Sequence, residues 1–404
     1  MSSPSTEIFG ATLTESAPRR NIAVDAYRGL VMLLLMAEVL RFAEVSQAHP
    51  GSGFWRFLAY NQEHVDWAGC SLHDTIQPGF SFLVGVALPY SIASRTAKGK
   101  SFGNQLAHSM WRAFLLIALG IFLRSTHQPQ TYFTFEDTLT QIGMGYVFLF
   151  LLGYAKEKWI WISFAAILFS YWLAWVLYPV AGPGFDWQSV GVPADWAHHY
   201  TGLLAHWNKN ANFGNAFDQW FLNLFPRSKP FVFNEGGYLT LSFIPTLGTM
   251  ILGLVAGRWL RAAAPQIPFR KLLVAAAATI AAGLLLHFTG ICPVVKRIWT
   301  PSWTLFSGGI CFLFLSAFCW IIETKGYRKW AFPLVVIGMN SIAAYLFVHM
   351  FPHFLVSTFN IHLGPNAFTF LGQPLQPLLE GLAIVLVEWL VLLWMYRRKL
   401  FLRI

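Results

Sequence analysis

Apolar stretches long enough to cross a lipid bilayer recur from Leu30 almost to the C-terminus, and Lys and Arg fall almost entirely in alternate connections between them. A water-soluble chain has no use for that arrangement. A bilayer's hydrocarbon core takes about 20 apolar residues of helix to cross, and every backbone polar group inside it must be satisfied within the protein. The expected fold class is an all-α polytopic membrane protein, a bundle of about ten transmembrane helices with a large extracytoplasmic loop.

The segments read as residues 26–45, 72–92, 110–123, 139–154, 159–179, 239–260, 272–290, 303–322, 332–355 and 378–396. The third is short and begins beside Trp111 and Arg112, while Pro78 is expected to bend or interrupt the start of the second. Twenty of the 28 Lys and Arg residues lie on one side of this scheme. That asymmetry puts both termini in the cytoplasm and favours an even number of crossings.

Only 11% of residues are charged and 56% are hydrophobic, against the roughly 25% charge of soluble domains. The net charge of +10 would suggest nucleic acid in a soluble chain. Here the basic residues sit beside apolar segments, as expected next to an anionic leaflet, so the expected surroundings are membrane lipids and no nucleic acid. No P-loop, dinucleotide fingerprint or heptad array is present.

Residues 1–20 are polar, rich in Ser, Thr and Pro, and lack the apolar core of a cleavable signal peptide. They read as a disordered cytoplasmic tail ahead of a single transmembrane domain at 21–404, which includes a cap loop at 180–238 on the extracytoplasmic side. That loop is long, low in charge and rich in Trp, His, Asn, Gly and Pro, and loops of this length are commonly functional. Its Trp187, Trp196, Trp207 and Trp220 suit stacking on sugar rings or anchoring in the outer leaflet. Cys311 and Cys319 lie in an apolar run, whereas Cys70 and Cys292 both fall in outer loops, where a disulfide stays open.

Ionisable residues within the apolar phase are functional candidates because burying charge there is costly. Asp25 and Arg28, three apart, share a helix face and can form a locking pair, while Glu38 lies deeper with no local partner. The densest group is NQEHVDWAGCSLHDTIQPGFSFLVG at 61–85, holding His64, Asp66, His73, Asp74 and Gln77 where an outer loop enters the second segment. A neutral His can take a proton from an amine or hydroxyl, and a nearby carboxylate can orient it. Two histidines and two acids can also hold a metal, but the spacing matches no metal signature and none is expected. Glu136, Asp137 and Gln141 open the fourth segment, and Asn340, Ser341, Tyr345 and His349 sit near one face of the ninth. Helix capping and interhelical hydrogen bonding account equally well for these sets. Asn234 and Glu235 lie where the large loop returns to the membrane.

The sequence resembles the heparan-alpha-glucosaminide N-acetyltransferase family, including its bacterial relatives. The residues that carry the resemblance are VDAYRGL at 24–30, the His64 loop with DTIQPGFSFLVG at 74–85, GYLTLSFIPTLGTMILGLVAG at 237–257, KRIWTPSW at 296–303 and FPLVVIGMNSIAAYLF at 332–347. It implies transfer of an acetyl or other acyl group from cytoplasmic acetyl-CoA, or another acyl-CoA, to an extracytoplasmic amino sugar or glycan. The family's histidine falls at His64, as base or transient acyl carrier, and its acid at Asp74. Asp25 and Arg28 occupy the family's first-segment motif and are expected toward the acyl-CoA. From the reading of the polar sets above, Glu38, Asp66, His73, Gln77, Asn234 and Glu235 are expected toward the acceptor, and Asp137, Gln141, Asn340 and His349 toward the acyl-CoA. It implies a bacterial inner membrane, with a homo-oligomer open.

Two departures accompany it. The Glu38 region replaces asparagines common in relatives, and DTLTQIGMGY at 137–146 stands where an arginine-bearing PGVLQR-like run is usual. A transporter of a sugar or small anion, and a noncatalytic glycan- or lipid-binding membrane protein, use the same membrane acids and histidines and remain the alternatives.

Overall fold

The computed structural model describes residues 21–402, and among these the secondary structure is helical apart from one isolated antiparallel bridge between Ala68 and Val295. The tail expected at 1–20 lies outside the described residues. The helices are α1 (Ile22–Met36), α2 (Phe42–Ala48), α3 (Gly53–Gln62), α4 (Ile76–Ala97), α5 (Phe102–Ser125), α6 (Thr138–Leu152) and α7 (Glu157–Val176). After a largely irregular stretch come α8 (Phe213–Phe221), α9 (Phe243–Ala263), α10 (Phe269–Phe288) and α11 (Pro301–Phe318). The chain closes with α12 (Phe332–Met339), α13 (Ser341–Met350), α14 (Pro352–Leu363) and α15 (Gln376–Arg397).

Seven helical runs are long and apolar enough to span a bilayer, or eight if the bent α12–α13 pair is one span, among the described residues. The chain is an integral membrane protein. The long helices fall short of ten because three expected segments are shorter or broken. The first, expected at 26–45, stops as an α-helix at Met36, and Arg41 at φ +48° turns the chain into α2. The fourth is only 15 residues, Thr138–Leu152, about 22 Å of helix. The ninth breaks at Asn340, where α12 and α13 meet at 72°.

Two other expectations change. The third segment is a full 24-residue helix beginning at Phe102; its polar first turns, with Asn104, Gln105, His108 and Ser109, hid it from a hydropathy reading. Pro78 neither bends nor breaks α4, because the helix starts at Ile76 and a first-turn proline gives up no intrahelical bond. All four cysteines are free thiols.

Packing places α9 at the centre, with 89% of its most apolar window buried, and α10 at the rim, with 17%. The centre is built on backbone contact. A Cβ on Gly253 would lie 1.9 Å from the Phe82 carbonyl oxygen, and one on Gly29 would lie 1.8 Å from that of Leu334. Only glycine permits α4 to meet α9, and α1 to meet α12, this closely. The bundle so formed holds α1, α4, α6 and α13 around a common interior.

Between α7 and α9 several of the cross-links are made by asparagines. Asn210 donates to the carbonyls of Val190 (2.9 Å) and Asn234 (3.0 Å), Asn215 to that of Asn210 (2.8 Å), and Asn212 caps α8. Trp207 is buried beneath Trp67, whose Nε1 donates to the Trp207 carbonyl at 3.1 Å, and Trp196 meets the Trp67 ring edge-on. Trp187 packs against His199, whereas Trp220 is exposed.

Candidate active site

The loop before α4 folds back so that Asp74 meets His64. Ser71 starts the turn: its backbone N–H donates to Asp74 Oδ2 at 3.0 Å and the Val65 N–H adds a second bond at 3.3 Å, while the Ser71 hydroxyl, 3.1 Å from the same oxygen, has the Glu63 carbonyl at 2.6 Å. The other oxygen, Oδ1, faces His64 Nδ1 at 2.7 Å. An ionised carboxylate can only accept, so this bond puts the imidazole proton on Nδ1 and leaves the Nε2 lone pair basic. The His73 ring lies 4.6 Å from that of His64, and His73 Nε2 is 3.0 Å from Glu38 Oε1.

A second loop, between α10 and α11, straps onto this one. Gly69 N–H donates to the Val294 carbonyl at 3.1 Å, beside the Ala68–Val295 bridge. Arg297 donates to the carbonyls of Val65 (3.2 Å) and Gly236 (2.9 Å). Lys296, only 5% exposed, is thereby carried to His64: its Nζ is 3.3 Å from Nδ1 and 3.2 Å from Nε2, and 4.0 Å from Asp74 Oδ1. Nearly equal distances to both nitrogens place the ammonium across the imidazole face rather than in line with either. It also lies 5.2 Å from the Tyr238 ring centre.

Burial sets the protonation of this group. It pushes the His64 imidazole down to about 4, with Lys296 adding to the fall and the Asp74 hydrogen bond opposing it. It also lowers Lys296 to about 8, Asp74 holding it up against the push of Arg297. Across the cavity, burial raises the Glu136 carboxyl while Arg124 pulls it back.

Three cavities run in sequence through these residues. A vestibule of about 570 Å³ is lined by Arg41, Glu44, Glu63 and Arg297, and shares Glu38, His64 and His73 with a cavity of about 270 Å³. That inner cavity adds Gln77, Arg124, Glu136, Tyr238 and Lys296. Thr138 and Tyr345 line both it and a third cavity, of about 550 Å³, whose polar wall carries Arg28, Arg95, His108 and Arg112.

The structure brings His64, Asp74, His73, Glu38 and Gln77 together around the first two cavities, Asp74 through its bond to His64. Arg28 lines the arginine-bearing cavity, and Asp25 pairs with it at 3.4 Å. Asp137 and His349, expected toward the acyl-CoA, line the His64 cavity instead; Asp137 also caps α6, and His349 stacks on Tyr345. Gln141 ties α6 to α9 by donating to the Leu239 carbonyl and accepting from Thr246. Asn340 pins the chain end, donating to the Leu400 carbonyl and accepting from Leu402 N–H. Asn234 reaches the inner cavity through Glu136, to which its amide donates at 2.7 Å. Asp66 is exposed, and Glu235 lines a separate surface cleft with Arg227.

Lys296, Tyr238 and Arg124 were missed from sequence. Lys296 and Arg124 carried one signal: they are basic residues in connections expected on the outer side, against the charge asymmetry that governs the rest.

No family model matches the sequence. The chain is similar to the heparan-alpha-glucosaminide N-acetyltransferase of Homo sapiens, 22% identical over 426 aligned positions covering 96% of this chain and 60% of that protein. It is similar also to the Mus musculus protein of that name, 23% identical over 369 positions covering 82% and 53%. The chain therefore spans between a half and two thirds of the length of these curated relatives, and its relationship to their family is distant.

Proposed function

We propose that the chain is a transmembrane acyltransferase that passes an acetyl or other acyl group from acyl-CoA to the amine of an amino sugar or glycan at His64. The observation that carries this is the shared wall: Thr138 and Tyr345 face both the His64 cavity and the arginine-lined cavity. An acyl donor whose phosphates lie against Arg28, Arg95 and Arg112 would need only its thin pantetheine arm to pass that wall. Guanidinium groups suit phosphates because they bind them bidentately. The relatives' name supplies the acetyl group and the glucosaminide acceptor.

In this reading the arginine cavity opens to the cytoplasm and the vestibule to the opposite side, as the charge asymmetry suggests. α1 and α6, though short, cross with the longer helices to make ten passages, and the stretch at 180–238 caps the outer face. Both termini are then cytoplasmic, in a bacterial inner membrane. Neutral His64 either takes the amine's proton as its nitrogen attacks the thioester, or attacks first and carries the acyl group itself. Asp74 holds the tautomer. Glu38, His73 and Gln77 face the acceptor, with Asp66 and Glu235 on the outer rim. Asn234 orients Glu136.

The test is purified protein in lipid nanodiscs given labelled acetyl-CoA and a panel of amino sugars, with His64→Ala in parallel. Acceptor-dependent labelling lost in the variant supports the proposal. Folded wild-type protein that labels no acceptor overturns it. Accumulation of unmodified sugar in sealed vesicles would then point to transport, and binding alone to a noncatalytic receptor.

A further inference from the structure

We propose that Lys296 is a further catalytic residue of this site, its ammonium holding the negative charge that forms on the acyl carbonyl oxygen during transfer. The inference rests on the acyl-transfer reading above and assigns a role to a buried cation in direct contact with His64.

The geometry is specific. A nucleophile activated by Nε2 must meet the thioester carbon within hydrogen-bond reach of that nitrogen, and Lys296 Nζ is 3.2 Å away from it. The carbonyl oxygen then falls within reach of the ammonium, and a donor aimed at developing charge in a site with little water contributes most to rate. Attack forms the C–N bond from the amine lone pair, and the carbonyl π pair moves onto oxygen beside Lys296. His64 Nε2 takes the amine proton. The oxyanion collapses, the C–S bond breaks, and the departing thiolate receives that proton from His64, giving amide and free thiol. Lys296 remains protonated throughout.

A purely structural role fits less well. Asp74 already accepts from His64 and from the backbone N–H groups of Ser71 and Val65, three bonds made without Lys296. The loop itself is tied by Arg297 to Val65 and Gly236 and by Gly69 to Val294. An ammonium 5% exposed over a histidine face is costly to bury, and its surroundings are those of a working cation. Asp74, Glu38 and Cys70 support its charge, Arg297 opposes it, and His64 and Tyr238 offer ring faces.

Steady-state transfer by wild type, Lys296→Met and Lys296→Arg in nanodiscs, from pH 5 to 10, tests this. Lys296→Met should lose about 10²–10³-fold in kcat with KM for donor and acceptor little changed. Burial brings the Lys296 ammonium down to about 8, so wild-type kcat should fall above that pH. Lys296→Arg keeps its charge, so it should retain measurable turnover and shift the alkaline limb upward. Full activity in Lys296→Met, or an unmoved alkaline limb in an active Lys296→Arg, overturns the inference while leaving acyl transfer standing. Should Lys296→Met not fold, by its melting temperature, the arginine profile alone decides. A wild type that transfers nothing overturns the underlying function instead.

Discussion

Asp74 Oδ1 stands 2.7 Å from His64 Nδ1, while its other oxygen is held by Ser71 and Val65. The carboxylate therefore dictates which imidazole nitrogen is free. Asp74→Asn keeps the shape but can turn an amide N–H toward Nδ1, which reverses the tautomer. We expect kcat to fall by about 10³–10⁴-fold, by comparison with the same change in other His–Asp pairs, with donor affinity retained. Single-turnover labelling alongside acyl-CoA binding separates the two.

The arginine-lined cavity should behave as a phosphate site. Arg28→Ala and Arg112→Ala each remove a cation from its wall. A charge-assisted hydrogen bond is worth about 1.5–3 kcal/mol, so each should weaken CoA binding about 10- to 100-fold. Isothermal titration with CoA checks this, and unchanged affinity in both would place the donor elsewhere. Arg112→Ala also frees the Tyr146 hydroxyl, to which Arg112 donates at 3.0 Å, so its melting temperature should be measured too.

Thr138→Leu enlarges the wall between the two cavities without touching the arginines. Displacing a reacting group by about 1 Å can cost about 10²-fold in rate. Turnover should fall to that extent while CoA binding holds. Equal loss of binding and turnover would mean the wall is not the point of passage.

His64 gives a pH signature of its own. Its value in the fold, about 4, lies below the ordinary 6.5, so the folded state favours the neutral ring. Stability from this group is present above pH 6.5 and is lost as pH falls toward 4. Activity that needs neutral His64 should fall through the same acid limb near 4. His64→Gln should flatten the stability profile across that window, read as melting temperature against pH.

Asp218 on α8 runs in the opposite sense. Burial pushes its carboxyl up to about 7, against the Thr240 N–H that donates to it at 2.9 Å. The stability this group contributes is full below its ordinary value of 3.8 and is lost as pH rises through about 7. Asp218→Asn keeps an acceptor for Thr240, so it should raise the melting temperature at pH 8 and leave it nearly unchanged at pH 4. A lower melting temperature at pH 8 would contradict this account.

Hydropathy made the long helices legible, since α9, α10, α11 and α15 lie within a few residues of their expected positions. It failed where helix ends depend on backbone geometry, as at Arg41 and Asn340, whose dihedrals answer to packing. His64 and Asp74 were both legible as candidates through the resemblance, but which of the loop's carboxylates meets His64 was not, because Asp66 stands nearer in the chain and only the turn at Ser71 brings Asp74 back to the ring. Lys296 was not, because it is 232 residues from His64 in the chain, and only the docking of two loops reveals it. Gln141 and Asn340 were legible as buried polar groups, but their hydrogen bonds go to backbone carbonyls and N–H groups of distant segments.

The wall formed by Thr138 and Tyr345 has an electrical consequence. If the two cavities open to opposite compartments as proposed, water on either side of the wall would carry each potential inward and leave most of the transmembrane voltage to drop across two side chains, Thr138 and Tyr345, which line both. A unit charge moved through that thin dielectric feels about 2.3 kcal/mol per 100 mV. In the proposed reaction a neutral acyl group would cross without that energy, whereas any proton that crossed with it would couple turnover to the energised state of the membrane.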